Sequence, residues 1–301
     1  METLLSQIFN GLSLSSVLLL VGLGLSITFG IMGVINFAHG EFLMVGAYVV
    51  YVLQTLFNKF YGPGASGVSF LISIPLSFFV TALLGFLLEK VLIRFLYGRP
   101  YESILATWGC SLVLQQMARN IFGANNVDVA SPGWLRGGIQ MMPDLELPYN
   151  RLFILALTTL CVMGIFLYLY RTAQGRRMRA VMQNRDMSSC LGIRTRKVDT
   201  YTFALGSGLA GVAGCAVSLL GSIGPSTGQN YIIDAFMVVV LGGTGRLAGT
   251  IAGALVMGVL NPVFELISTS SMGKVILFIL VILFLQGKPQ GLFSLKTRAL
   301  D

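Results

Sequence analysis

Charge is what this sequence has least of. Only 11% of its 301 residues are Asp, Glu, Lys or Arg, while 55% are hydrophobic. A soluble domain carries about 25% charged residues because its surface needs them, so the surface of this chain meets something other than water. Histidine occurs once, at His39, and no H-E-x-x-H zinc motif can be written with one histidine. No G-x-x-x-x-G-K-[ST] occurs, which excludes ATP binding through a P-loop. Nothing resembles a nucleophile elbow, and no span carries the regularly spaced arginines of a voltage sensor. The four cysteines, Cys110, Cys161, Cys190 and Cys215, lack metal spacing and read as small buried hydrophobes. No metal or cofactor is implied. Met1-Glu2-Thr3 has no basic residue and no small-residue cleavage site follows, so the first apolar run reads as a retained span rather than a signal peptide.

What is there are apolar runs, six of them near or above the roughly 20 residues a helix needs to cross a bilayer and three shorter. They cover about 4–31, 34–57, 68–95, 103–122, 152–170, 201–220, 232–241, 252–264 and 275–285. The expectation is an all-α integral membrane protein, a single domain over 1–301: a polytopic bundle of eight or nine transmembrane helices with two discontinuous segments. The count depends on whether 232–264 is one broken element or two. Glycine is abundant, at 36 residues. It is a liability in a water-soluble helix, but between membrane helices it lets backbones approach closely.

The net charge of +8 is topological rather than a nucleic-acid patch. Between Arg171 and Lys197 stand eight basic residues and one acid, Asp186, and the tail adds Lys288, Lys296 and Arg298. Basic residues collect in cytoplasmic loops, which places the 171–197 loop and the C-terminus inside. The longest polar loop, about 123–149, has a near-balanced charge (Arg119, Arg136, Asp128, Asp144, Glu146) and suits the outer face. With both basic regions inside, the crossings after the basic loop are odd in number. That favours nine spans and an outer N-terminus.

The two breaks are the candidate pathway, because backbone that leaves helical geometry at membrane depth must be buried in protein or line a wet cavity. One contains Asn36, His39, Gly40 and Glu41; the other contains Gly242, Gly243, Thr244, Gly245 and Arg246. Half-helix N-termini expose unpaired N–H groups that hold a solute oxygen without a fixed ion. His39 and Glu41 read either as a polar pair at a gate or as caps of a half-helix. Asp234 reads either as a functional intramembrane carboxylate or as a helix cap, and Arg246 as an anchor at the cytoplasmic edge. Thr107 joins the candidates by position and type. Gly206-Ser-Gly208-Leu-Ala-Gly211 fits G-x-G-x-x-G letter for letter, but a dinucleotide site needs a preceding strand and a soluble βαβ unit. Here the motif opens a span, so it reads as helix packing.

From Gln174 the basic loop reads as a short amphipathic helix ending at Gly192, with Met178, Val181, Met182 and Leu191 among charges. Such a helix lies on headgroups or inserts into a groove of a partner. Docking is favoured because the helix joins two spans and a push on it moves both. Its candidate contact residues are Arg176, Arg179, Met182, Asn184, Arg185, Leu191 and Gly192.

At this loop a resemblance appears. Arg179-Ala-Val-Met182-Gln-Asn184-Arg185-Asp-Met-Ser-Ser-Cys-Leu191-Gly192 resembles the coupling-helix region of branched-chain amino-acid-type ABC permeases. Val34-Ile-Asn36-Phe-Ala-His39-Gly40-Glu41 and Val240-Leu-Gly242-Gly243 resemble the same family, and the likeness covers nearly the whole chain. Ala106-Thr107-Trp108-Gly109, Gln183-Asn184-Arg185 and Lys288-Pro289-Gln290-Gly291 look more specifically like the urea permease branch. The resemblance implies a permease subunit without an ATPase site of its own, in a bacterial inner membrane. It implies alternating access for a small polar solute, urea first and branched-chain amino acids as the alternative. The implied partners are a second, homologous permease forming a heterodimer, two ATPase subunits at the basic loop, and a periplasmic solute-binding protein at the outer loop. A zwitterionic solute would favour a charged partner in the pathway, whereas urea needs only hydrogen bonds. A stand-alone channel or secondary transporter would use the same breaks without a docking loop.

Overall fold

Long apolar runs become long helices. The computed structural model describes residues 2–62, 66–142 and 145–293. Asp144 of the polar loop, residues 63–65 of the first turn, and Lys296 and Arg298 of the tail lie outside the described residues. In chain order the helices are α1 (Glu2–Met32), α2 (His39–Tyr61), α3 (Ser66–Val91) and α4 (Pro100–Phe122). After α5 (Tyr149–Arg171) come the short α6 (Ala173–Gln183) and α7 (Arg185–Cys190). The chain then forms α8 (Thr195–Ser218), α9 (Thr227–Gly242), α10 (Leu247–Ile267) and α11 (Ser270–Gly287). Every apolar segment expected from the sequence is helical over most of its length, the longest exception within them being 34–38 at the start of the second. Among the described residues six helices (α1, α2, α3, α5, α8 and α10) are long and apolar enough to cross a membrane, and α11 is a shorter apolar helix. α4, with Gln115, Gln116, Arg119 and Asn120, and the 16-residue α9 fall outside that group.

Helix directions follow from where glycines meet. A Cβ on Gly11 would touch the Gly258 carbonyl at 2.9 Å, and Gly30 lies against Gly245, so α1 and α10 run antiparallel. Phe42 packs on Phe203 and Gly46 on Gly211, so α2 and α8 run in the same direction at their close crossing. α1 and α8 are the most enclosed helices, and their Leu20, Leu23, Leu25, Phe203, Ala210 and Ala213 are buried. α3, α5 and α11 turn Phe79, Leu83, Leu160 and Leu283 outward. An apolar exterior around a tightly packed, small-residue interior is what lipid as solvent requires. The Gly206–Gly211 motif sits inside α8, where a Cβ on Gly206 would meet the Gly24 carbonyl and one on Gly211 the Ser77 carbonyl, each at 2.7 Å. It is a packing stripe.

One end of the bundle is basic. It gathers the close of α5, α6, α7 and the start of α8, where Thr200 donates to Glu89 of α3 at 2.7 Å. The α9–α10 turn lies beside Gly30. The segment after α11 closes over that turn, with Leu292 N–H donating to the Leu241 carbonyl (2.8 Å) and Phe293 N–H to that of Gly242 (3.1 Å). The opposite end holds the 123–148 loop, pinned by the Val127–Ile223 bridge and by Gln54, which bonds both backbone groups of Ala130.

Three expectations are corrected and one element is added. The basic loop holds two helices, not one, because Asn184 leaves helical geometry (φ −156°, ψ 110°) and caps α7 by accepting the Met187 N–H at 2.9 Å. The polar loop carries a hairpin of β1 (Gly138–Met142) and β2 (Leu145–Pro148), a small β element on a helical protein. The second break is shorter than the gap between the apolar runs 232–241 and 252–264: only 243–246 are non-helical, and α9 and α10 form an antiparallel hairpin around them. Cys190 is exposed at the end of α7 and only Cys215 is fully buried, since α7 presents its last turn to solvent.

Candidate transport site

The first break is a re-entry. α1 ends at Met32, Gly33 adopts a left-handed φ of +62°, and residues 33–38 form no helix. His39, the first residue of α2, then bonds Val21, about three turns back along α1, roughly 16 Å at 1.5 Å per residue. Six extended residues span about 20 Å, so the segment climbs back beside its own helix and α2 starts at depth.

Its polar groups are placed by local bonds. Asn36 Oδ1 accepts the Ala38 N–H at 3.0 Å, a turn that holds the last non-helical residues. Phe37 N–H donates to Thr107 Oγ1 of α4 at 3.2 Å, and its ring lies 5.3 Å from that of Phe236 on α9. His39 Nε2 donates to the Val21 carbonyl at 3.2 Å. Glu41 is 1% exposed, and its Oε1 accepts from Ser111 Oγ (2.9 Å) and Gln115 Nε2 (2.7 Å) of α4. Gln115 also donates to Ser111 at 3.2 Å. Neither side chain caps α2, whose N-terminus has no side-chain cap. His39 and Glu41 face different helices and are not bonded to each other.

Three buried polar atoms of this half-helix start are unpaired: Asn36 Nδ2, His39 Nδ1 and Glu41 Oε2. A buried polar group without a partner costs about 1–3 kcal/mol, more when charged. Such vacancies are rare in a folded chain and call for a functional or structural reason.

Of the sequence candidates, the structure therefore brings Asn36, His39, Glu41 and Thr107 together. It does not bring Asp234, Gly242, Gly243 or Thr244 to them. Asp234 pairs with Lys274 of α11 at 3.2 Å and ties two helices. Gly242 packs on Gly249, Gly243 lies under the Gln290 and Phe293 carbonyls, and Thr244 is exposed at the basic end. Ser111 and Gln115 were missed as ligands of Glu41. Their signal was available: Thr107, Ser111 and Gln115 recur every four residues, one stripe along a helix.

The basic-loop candidates also divide. Asn184, Leu191 and Gly192 are exposed, as is Arg176 on α6, and Leu191 and Met187 offer apolar contact at 76% and 59% exposure. Gly192 (φ +79°) closes α7 in a Schellman turn, with Ile193 N–H to the Ser188 carbonyl and Gly192 N–H to that of Ser189, both 3.0 Å. Arg179 and Met182 are half-buried and turn toward a cavity beside α5. Arg185 forms an ion pair with Asp199 of α8, whose side chain is fully buried, and its guanidinium lies 4.9 Å over Tyr97 in the turn before α4. Tyr97 Oη donates to Glu89 at 3.5 Å, and Glu89 accepts from Thr200. α7 is thereby joined to α3 and α8 at the basic end and to the turn that leads into α4.

A helical bundle with an apolar exterior, glycine-mediated helix contacts and a re-entrant polar half-helix defines a multi-pass membrane transport subunit. The chain matches the family described as "Branched-chain amino acid transport system / permease component" over residues 7–285, and it belongs to that family. It is 31% identical to the high-affinity branched-chain amino acid transport system permease protein BraD of Pseudomonas aeruginosa, over 96% of this chain and 95% of that one. It is 28% identical to the permease protein LivH of Escherichia coli, again over 96% and 95%. The probable branched-chain amino acid transport permease protein LivH of Methanocaldococcus jannaschii is 27% identical over 95% of this chain and 91% of its own. No solved structure matches. As a permease component the chain is a transport subunit and not an enzyme. The relatives carry branched-chain amino acids rather than urea in their names, so the urea expectation finds no support among them.

Proposed function

We propose that this chain is the membrane half of an ATP-driven importer that passes branched-chain amino acids between itself and a second, homologous permease. The observation that carries the solute class is the unpaired Oε2 of Glu41. A buried carboxylate with both donors on one oxygen has a vacant site for a cation, and the α-ammonium of an amino acid is one. The uncapped N-terminus of α2 beside it suits the α-carboxylate. Urea has no charge to set against Glu41. The basic end faces the cytoplasm, by the collection of basic residues there. Two ATPase subunits dock on the permease pair, this chain receiving one on α7 with its exposed Met187 and on Leu191 beside it, and a periplasmic solute-binding protein meets the 123–148 loop. Nine crossings in an inner membrane, with the N-terminus outside, follow from that orientation. ATP-driven closure pushes α7, and the Arg185–Asp199–Tyr97 junction carries the push to α8 and α4, where Ser111 and Gln115 hold Glu41.

The test is uptake of labelled leucine and of labelled urea by vesicles carrying this chain with its co-purifying partners. Leucine uptake that needs ATP, and that Glu41→Gln weakens by roughly ten- to a hundredfold as expected for losing a hydrogen bond to a charged group, supports the proposal. ATP-dependent uptake of urea that ignores excess leucine would move the solute to urea and leave the importer. Flux of either solute without ATP would sink the importer itself.

A further inference from the structure

A large cavity lies away from Glu41, on the outer flank of the bundle at its basic end. It encloses about 880 Å³ between α5, α6 and the start of α10, within the roughly 300–1,000 Å³ of small-ligand sites. Its walls are apolar: Val162, Met163 and Phe166 on α5 face Leu247 and Ile251 on α10. Its rim is cationic, formed by Arg179 of α6 and Arg246. No acidic residue lines it among the described residues.

We infer that this cavity holds one anionic phospholipid, with the phosphate between Arg179 and Arg246 and an acyl chain along α5. Four observations converge. Arg179 lines the cavity with its guanidinium held 4.5 Å over the Tyr170 ring, and its buried Nε has no hydrogen-bond partner, so the charge is fixed at the rim and unanswered. Arg246 is followed by the first turn of α10, which no side chain caps, and Leu247 and Ala248 of that turn line the cavity. Uncapped N–H groups and the positive end of a helix favour a phosphate oxygen. The apolar wall from Thr159 to Tyr170 rises about 16 Å along α5, close to one leaflet of a roughly 30 Å hydrocarbon core. Met163, Phe166 and Tyr170 remain about half exposed or more, so the cleft opens sideways to the bilayer. The cytoplasmic leaflet is the anionic one, and basic pockets between spans on that side suit such head groups. A free anion would satisfy the arginines but not the apolar wall beneath them.

The site also has a mechanical consequence. Its phosphate bridges α6, the first helix of the basic loop, to the α9–α10 turn, two elements with no direct ion pair between them among the described residues. Bound lipid would hold α6 in register with α10 while α7 moves.

Native mass spectrometry of the purified full chain with its partners, titrated with phosphatidylglycerol or phosphatidylcholine, tests this. The expectation is retention of one phosphatidylglycerol in preference to phosphatidylcholine. Arg179→Gln with Arg246→Gln should weaken that retention about thirtyfold, near fivefold per removed charge. Arg177→Gln, an exposed arginine on the same helix, should change it less than about twofold. Equal retention of both lipids would overturn the proposal, as would an equal effect of Arg177→Gln, which would indicate only diffuse attraction. Displacement by millimolar inorganic phosphate would make the cavity a phosphate site. Loss of retention only when the partner permease is present would make it a protein interface. The variants' melting midpoints, expected to match the parent without lipid, separate a lost site from a lost fold.

Discussion

The chain leaves helical geometry in two places, and the two breaks are built in opposite ways. At 33–38 a left-handed glycine, Gly33, has open space around it, and the next residues climb back along α1 carrying side chains with unpaired polar atoms. At 243–246 the left-handed Gly243 is wedged beneath the Gln290 and Phe293 carbonyls, Gly242 packs on Gly249, and backbone bonds from Leu292 and Phe293 seal the turn. The sequence makes them look alike, since each joins glycines to a small-residue helix. The first is a polar re-entry whose buried side chains keep unpaired atoms. The second is a closed hairpin turn that anchors α9 and α10. A glycine cluster in a membrane chain thus has two meanings, and only the neighbours tell them apart.

The largest effect is expected where the re-entrant helix touches α9. Gly40→Leu would set a Cβ 2.9 Å from the Gly228 carbonyl carbon and 3.0 Å from Ile232 Cβ. Backbone cannot rotate out of the way, so the cost should reach about 3 kcal/mol, read as the largest drop in melting midpoint of the detergent-purified chain. Gly243→Ala comes next. Its φ of +96° costs about 1–2 kcal/mol for an L side chain, and the Gln290 carbonyl, 3.1 Å from the added Cβ, increases the crowding. Its leucine KM should stay unchanged, because the turn does not touch Glu41.

Gly33→Ala has the same handedness but nothing within 4 Å, so about 1 kcal/mol of strain is all it should lose. If it destabilises as much as Gly243→Ala, the distinction between an open and a sealed break fails. Thr244→Ala is the smallest change: the side chain is exposed at the turn, and both melting and uptake should stay within about 0.5 kcal/mol of the parent. A large uptake defect in that variant would return the second break to the pathway.

Much of the fold was legible because it depends on local composition. Low charge, long apolar runs and the cluster of arginines after Arg171 sufficed to predict the helices, the basic end and the packing role of Gly206–Gly211. The helix stop at Gly192 was also readable, since a Schellman turn is a short-range pattern. The split of the basic helix at Asn184 was not. Asn is tolerated inside helices, and whether its side chain caps a new one depends on how α7 docks against α8 through Arg185 and Asp199. The candidate site was legible by half. Asn36, His39, Glu41 and Thr107 were chosen by type and position, and they converge. Ser111 and Gln115 were overlooked although their four-residue spacing lay in plain sight, and Asp234 was ambiguous until Lys274, distant in sequence, came beside it.

The sequence by itself determined that this chain lives in lipid, that glycine carries its helix contacts, and that one end is basic, because each follows from which residues are present and how they are spaced. Tertiary structure alone decided which break is sealed, which carboxylate keeps an unpaired oxygen, and which arginines rim a cleft. Those outcomes depend on the meeting of residues far apart in the chain, and whether a buried charge is answered or left vacant is a property of the neighbours that folding supplies.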